Sequence, residues 1–348
     1  MEIRKFSSIK LADVFFDSLK DDYPEFEKWF ARKSVQGEEA VVQYDKEGHL
    51  QGFLYTKDES KEVDDKITPL MESKRRLKVG TFKIDAHNTR LGEKFIKKIM
   101  DRAIYEDFEE AYVTIFPKHK RLIDLLKRYG FKDYGTKKEE QVLLKDFSVC
   151  TGDMLYDYPL IQPKQKRKFL LSIYPKFHTP LFSDSILKNE VRNSDELVKD
   201  ISFSNSIHKI YICFMPKTAS LKKGDLIAIY RTNDGMGPAR FRSVVTSICQ
   251  VEEVRTKCDF LSIAEYLKYC ISYSIFQECD LRKWYQNDNL VVIKMTYNIA
   301  LAKRVTRGML LDEAGISPNL YWGFFQLTDN QFDYMLKRGN VNKNFIID

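Results

Sequence analysis

The stretch richest in chemistry is TFKIDAHNTRLGEKFIKKI (81–99), where a strand pattern runs into a short polar loop and the loop opens a helix pattern. That order aims unpaired backbone N–H groups and the positive end of a helix at one point, which makes an anion site. Gly92 is expected where the backbone approaches a ligand closely. Arg90, Lys94, Lys97 and Lys98 add positive charge around it. A second group is the pair Glu139–Glu140 at the start of a strand pattern, two carboxylates of the type that serve as bases toward an amine. Cations interleave with aromatics in the second half of the chain. Tyr230-Arg231 closes one strand pattern, Arg240-Phe241-Arg242 opens the next across the turn Thr232–Pro238, and Arg282-Lys283 precedes Trp284-Tyr285. Arginines hold phosphates, and exposed aromatics stack on unpaired bases. The competing reading of each pair puts the aromatic in a core and the arginine in water.

Other chemistry is thinly represented. The six cysteines, Cys150, Cys213, Cys249, Cys258, Cys270 and Cys279, form no CxxC pair, and there are only five histidines. The spacing fits neither a zinc site nor a disulfide scaffold, so reduced, mostly buried thiols and no metal are expected.

These groups need elements to position them. EEAVVQYD and LQGFLYTKD flank a turn with Gly48 and read as a β-hairpin. The segments 75–85, 109–116 and 139–147 read as strands. Leu91, Phe95, Ile96, Ile99, Met100, Ala103 and Ile104 recur at helical spacing, and residues 118–129 form a second amphipathic helix stopped by Gly130. Phe26, Trp29 and Phe30 follow Pro24 on a helix expected to pack on the sheet. KDESKEVDDK (57–66) reads as a solvated loop. Beyond Cys150 the character changes. Residues 160–183 hold five Lys/Arg, no acid and three prolines, which suits a connector or an opening strand. Strand patterns at 208–215, 225–232, 241–254 and 289–297, with helical patches such as 260–272, suggest a small barrel with helical insertions.

A length of 348 residues suggests two domains. With 43% hydrophobic, 31% charged and 13% aromatic residues the chain is globular rather than disordered. No apolar run approaches a bilayer span, and the N-terminus lacks the apolar core of a signal peptide, so a cytoplasmic location and no membrane partner are expected. The formal charge of +7 is uneven: residues 1–147 carry 30 Lys/Arg against 29 Asp/Glu, and residues 148–348 carry 27 against 21. The excess in the second half suits an anionic partner there.

Taken in order, the hairpin, the strand with its phosphate-type loop, the helix, the next strand, the helix ending in Arg128-Tyr129-Gly130-Phe131 and the last strand resemble the GNAT acetyltransferase fold over residues 1–147. The family's loop pattern is Arg/Gln-x-x-Gly-x-Gly/Ala. His87 replaces the Arg/Gln here, Arg90 stands at the first glycine, and Gly92 is retained. The resemblance implies acetyl-CoA as co-substrate. It implies that Phe82, Lys83 and Ile84 present backbone groups to the pantetheine arm and that Asn88, Thr89, Arg90, Leu91, Gly92, Glu93 and Lys94 cradle the pyrophosphate. His119 falls where relatives often have an Asn that bonds CoA. The usual Tyr proton donor is replaced by Leu126, which leaves Tyr129, one helical step away, as candidate donor or core aromatic, and Glu139 as candidate base.

The run KKGDLIAIYR (222–231) followed by SVVTSICQVEEV (243–254) resembles PUA-like domains of the ASCH/EVE kind over residues 185–348. Such domains bind RNA or modified bases, and the resemblance places Tyr230, Arg231, Arg240, Arg242 and Ser243 near the cleft, with Trp284 added by the cation–aromatic pattern. A GNAT module joined to such a barrel through a segment like KRKFLLSIYPKFHTPLFSDS resembles a recurrent bacterial arrangement. The expected organisation is an α/β GNAT-like mixed sheet flanked by helices (1–147), a basic connector (148–184) and an α+β PUA-like barrel (185–348). The function implied is an acetyl-CoA-dependent N-acetyltransferase directed to RNA, such as tRNA, or to an RNA-associated amine, in a toxin-like or regulatory role. Two other readings stay open: a non-catalytic CoA- and nucleic-acid-binding protein, and a protein or small-molecule acetyltransferase with an interaction barrel.

Overall fold

A computed structural model describes residues 1–61, 64–85, 90–182, 185 and 206–347. The chain divides into two compact units, Met1–Thr151 and Gly152–Asp348, each a mixed α/β structure built on a mixed sheet.

The first unit runs β1 (Glu2–Lys5), α1 (Asp17–Asp22), α2 (Phe26–Val35), β2 (Glu39–Tyr44), β3 (Leu50–Asp58), β4 (Arg76–Ile84), α3 (Leu91–Tyr105), β5 (Glu110–Ile115), α4 (Lys120–Arg128), β6 (Lys132–Lys137) and β7 (Glu140–Asp146). The strands lie in the order β1-β2-β3-β4-β5-β7-β6, with β4 and β5 parallel. Gly48 takes a positive φ of 89° in the β2–β3 turn, and Gly130 one of 88° after α4, which is where the sequence placed the turn and the stop. Helix α3 buries Phe95, Ile96, Ile99, Met100 and Ala103, its expected apolar side. On the opposite face, Phe26 and Phe30 of α2 pack on Phe6, Phe16 and Phe53, with the Phe6 and Phe30 rings 4.9 Å apart. Strands β1 and β6 were not legible as separate elements. Both are short and largely exposed, so they carry no apolar alternation.

The β3–β4 connection corrects the expectation of a solvated loop. Glu59 is buried, bonded by the Tyr112 hydroxyl and by Lys78 Nζ at 3.2 Å. Asp64 holds Lys137 at 2.5 Å and Lys78 at 3.5 Å. Ile67 and Met71 then pack on Tyr112 and Val142. Glu59 and Asp64 thus have partners on β4, β5 and β6, while Lys61, Asp65 and Lys66 of the same run are exposed as expected.

The second unit runs β8 (Lys168–Ile173), α5 (Pro175–Leu181), β9 (His208–Cys213), β10 (Leu226–Arg231), α6 (Ala239–Arg242), β11 (Val244–Thr256), α7 (Ile263–Ile271), α8 (Glu278–Trp284), β12 (Val291–Thr306), α9 (Arg307–Asp312), β13 (Phe324–Leu327) and α10 (Asp329–Arg338). The strand order is β13-β8-β10-β11-β12-β9, and among the described residues no pairing joins β13 to β9 to close the expected barrel. Residues 148–184, expected as a basic connector, contain β8, which sits inside this sheet between β13 and β10. Its Phe169, Leu171 and Ile173 join the core with Ile227, Ile229, Cys249, Ile293 and Met295. The strand expected from 241 starts at Val244 instead, because Pro238 begins the short helix α6. Cys213, Cys249 and Cys270 are buried, and burial raises their thiol pKa values. Cys258 and Cys279 are exposed, against the expectation of mostly buried thiols. No helix among the described residues is long and apolar enough to cross a membrane.

Candidate active site

The first unit's site begins with one extra residue in β4. Strand β3 pairs Thr56 with Val79 but Tyr55 with Thr81, so Gly80 is left over as a bulge. A Cβ at Gly80 would meet Tyr55 Cδ1 at 2.9 Å, so glycine suits the position. A bulge bends its strand and sharpens the twist. The parallel pairing of β4 with β5 runs only from Arg76–Glu110 to Val79–Val113 and ends at this point. Beyond it, Thr81–Ile84 pairs with β3 on one edge, and Thr114–Ile115 pairs with β7. Among the described residues neither segment has a strand partner on the edge that faces the other. The result is a V-shaped notch whose backbone amides suit an extended, amide-bearing ligand that adds itself as a strand. The closed end of the notch is the Val79–Val113 rung, and three rungs before it, at the start of the paired stretch, Arg76 grips Glu110 through Nε and Nη2 at 3.0 and 2.9 Å.

The bulge also reverses which side chains face which way. Before it, Lys78 reaches Glu59 and the Tyr112 ring. After it, Lys83 lies on that same face, with its Nζ donating to Ser18 Oγ at 2.8 Å and stacked over Phe15. Phe82 turns to α3, 5.7 Å from the Phe95 ring. On the α3–α4 face, Gln141 sits opposite Ile115, and its buried Nε2 has no hydrogen-bond partner among the described residues. A buried donor left unpaired is costly, which singles this amide out on the strand next to the β5 arm of the notch. Sequence reading missed Gln141, whose only signal is its place beside Glu140.

On the α1 side, Tyr23 caps α1 and its hydroxyl donates to Glu140 Oε1 at 2.6 Å. The Tyr23 ring lies 5.3 Å from that of Phe116, just past the end of β5. Asp22 accepts from Lys118 and pairs with His119 Nε2 at 3.2 Å, tying α1 to the start of α4. Burial, and then the bond to Glu140, push the Tyr23 phenol far above its ordinary range.

The expected site residues fall as follows. Phe82, Lys83 and Ile84 line the notch edge. Asn88 and Thr89, with His87, lie outside the described residues. Arg90 caps α3 and pairs with Glu93 at 3.6 Å, and Leu91 is buried. At Gly92 a Cβ would stand 2.7 Å from Leu125 Cδ2, so glycine also serves close packing of α3 on α4. Gly92→Val is therefore expected to destabilise the protein by about 1–3 kcal/mol, and Leu125→Ala in the same chain to recover most of it, read as thermal midpoints. Burial pushes the Lys94 ammonium down to about 8, and its charge helps lower the pKa of the Met1 amino group. Tyr129, the candidate proton donor, is fully buried with no surface to offer a substrate, and its carbonyl accepts from Lys145 at 2.9 Å. Its role is in the core. Glu139 is exposed at the β6–β7 turn, while its neighbour Glu140 faces Tyr23. His119 is held by Asp22.

In the second unit, Tyr230, Arg231, Arg242 and Ser243 do converge, at the end of β10 and the start of β11, but they face one another. Tyr230, Arg231 and Ser243 are buried. Arg231 lies 3.9 Å from Asp234, and Arg242 forks onto the same carboxylate, which it holds at about 2. Arg240 pairs with Asp312. These arginines are thus engaged by acids of their own unit. Trp284 lies elsewhere, packed 4.8 Å from Phe276 and 6.2 Å from Phe177. Sequence reading missed Trp322, whose ring lies 5.4 Å from Tyr230 with Arg307 stacked on it at 4.6 Å. The aromatics exposed in the neighbouring segments are Tyr174 (63%), Tyr321 (63%) and Phe241 (65%). The run Tyr321–Phe325 was the signal available for this group.

No family model matches the chain, and no curated protein does. Among solved structures, the ASCH protein from Zymomonas mobilis aligns at 10% identity over 49% of this chain and 94% of its own, with a TM-score of 0.32. Naa20 from Chaetomium thermophilum in complex with a bisubstrate analogue aligns at 15% identity over 45% and 88%, TM-score 0.31. The PaiA N-acetyltransferase from Thermoplasma acidophilum in complex with coenzyme A aligns at 12% identity over 42% and 98%, TM-score 0.29.

Proposed function

We propose that the chain is an acetyl-CoA-dependent N-acetyltransferase whose first unit holds the thioester in the β4–β5 notch and whose second unit brings an RNA-borne or RNA-associated amine. The observation that carries the reading is the notch itself, which opens past the Val79–Val113 rung at the Gly80 bulge. The free strand edge of Gly80–Ile84 suits the amides of a pantetheine arm, and the Gln141 amide supplies a donor with no other partner among the described residues. The thioester donor supplies an activated acyl group when bound. The chain's own residues orient it and manage protons. The exposed Tyr174, Tyr321 and Phe241, in segments next to buried and paired arginines, support a surface that stacks on unpaired bases.

Calorimetry with acetyl-CoA is expected to give 1:1 binding, and Gly80→Val to weaken it at least tenfold. Absence of heat at millimolar ligand retires the reading. Labelled acetyl transfer to total tRNA, to a lysine-bearing peptide and to spermidine then tests the acceptor class. RNA retention is expected to fall steeply with added salt, as phosphate contacts require. A flat response removes the RNA part.

A further inference from the structure

We propose that Tyr23 and Glu140 form a two-residue proton relay for acyl transfer, in which the carboxylate takes the proton of the acceptor nitrogen and the phenol passes one to the departing sulfur. This rests on the transferase reading above. It answers a specific gap in it, because Leu126 and the buried Tyr129 offer no proton from α4.

The geometry is the argument. Glu140 begins β7, one residue before the Ile115–Gln141 pair, so it stands next to the end of β5, the strand that forms one arm of the notch. Tyr23 comes to it from α1, on the other side of the primary structure, and the two are joined by a 2.6 Å hydrogen bond. The Phe116 ring packs against that of Tyr23 at 5.3 Å. Both side chains are only partly buried, so a substrate can reach them. Besides Glu140 itself, the charged group acting on Tyr23 is Asp22 on α1, which is itself held by Lys118 and His119.

The steps balance. A neutral amine forms the new C–N bond while the C–S bond breaks. Glu140 takes the surplus proton from nitrogen. It then gives that proton to the Tyr23 oxygen as the Tyr23 hydroxyl proton goes to sulfur. Glu140 ends as a carboxylate, Tyr23 as a phenol, and no proton is gained or lost by the protein. The hydrogen bond also sets the order of events. While Glu140 is charged, the phenol is a poor acid. Once Glu140 has taken a proton the bond reverses, and the phenol becomes a conduit from a carboxylic acid to a thiolate, a downhill transfer.

Two conservative variants test it. Tyr23→Phe removes only the hydroxyl, and Glu140→Gln keeps an acceptor but takes no proton. Thermal melting establishes that each folds. With labelled acetyl-CoA and the tRNA, peptide and spermidine acceptors, each variant is expected to lower kcat about 100-fold while the calorimetric affinity for acetyl-CoA stays within about twofold. A second readout needs no turnover: with ¹³C-labelled tyrosine, the Tyr23 ring-carbon resonance is expected to titrate at lower pH in Glu140→Gln than in the wild type. Wild-type transfer with both variants at full kcat overturns the relay and leaves the transferase reading standing. An unmoved Tyr23 titration also overturns it. Acetyl-CoA binding by the wild type without transfer to any of the three acceptors overturns the relay and the transferase reading together.

Discussion

Glu110→Ala is expected to destabilise the first unit by about 3–5 kcal/mol, the cost of leaving a buried charge without its partner. Arg76 and Glu110 are register partners at the first rung of the β4–β5 pair, and their side chains are 4% and 5% exposed. Lys74 adds a third contact to Glu110 at 2.6 Å, and Arg76 Nη2 also donates to the Glu72 carbonyl at 2.8 Å. With the carboxylate gone, the guanidinium keeps one carbonyl and loses both charge-assisted bonds. The double change Arg76→Met with Glu110→Leu removes both charges and fills similar space, so it is expected to lie within about 1 kcal/mol of the wild type. Urea unfolding followed by Trp29, in a chain with Trp284 and Trp322 replaced by Phe, reports this unit. A single-variant loss below about 1 kcal/mol would show that water reaches the pair.

The second large effect is on pH. His178 of α5 is fully buried, with Nε2 bonded to Thr246 Oγ1 at 2.7 Å. Burial first, then the charges of Arg231 and Arg304, push its pKa from 6.5 down to about 3. The folded state holds a neutral imidazole and the unfolded chain binds a proton near pH 6.5. The stabilisation is therefore complete above pH 6.5 and is lost as pH falls toward 3, by at most about 1.4 kcal/mol per pH unit. From pH 7 to pH 5 the second unit is expected to lose about 2 kcal/mol on this account. His178→Gln keeps a polar partner for Thr246 and does not titrate, so its curve is expected to be flatter. Parallel wild-type and variant curves from urea midpoints between pH 7 and 4.5 would remove His178 as the cause.

Much of the first unit was legible because its elements carry strong periodic signals. The apolar stripe of α3, the Gly48 hairpin and the Gly130 stop each rest on local chemistry that the fold respects. The site was less legible. Tyr23 and Glu140 are brought together from 117 positions apart, and no spacing rule registers that. Gly92 was read for one use, whereas a glycine beside a phosphate-type loop has two, and the space a side chain would need there is taken by Leu125. In the second unit the Tyr230–Arg231 and Arg240–Arg242 pairs did mark one end of the sheet. The sequence reading offered the arginines to phosphates or to water, whereas Asp234 and Asp312 hold them. Strand β8 was obscured by flanking lysines and prolines, although Phe169, Leu171 and Ile173 alternate into the core.

The leftover glycine in β4 has a consequence for how this segment tolerates length change. Odd and even positions exchange sides at Gly80, so the ammonium of Lys83 finds Ser18 while Phe82 finds Phe95. A chain one residue shorter at this point would restore strict alternation and exchange those two destinations, driving a lysine beneath α3 and an aromatic ring out toward α1. Substitutions can be absorbed one side chain at a time, but a single deletion here would invert a whole half-strand.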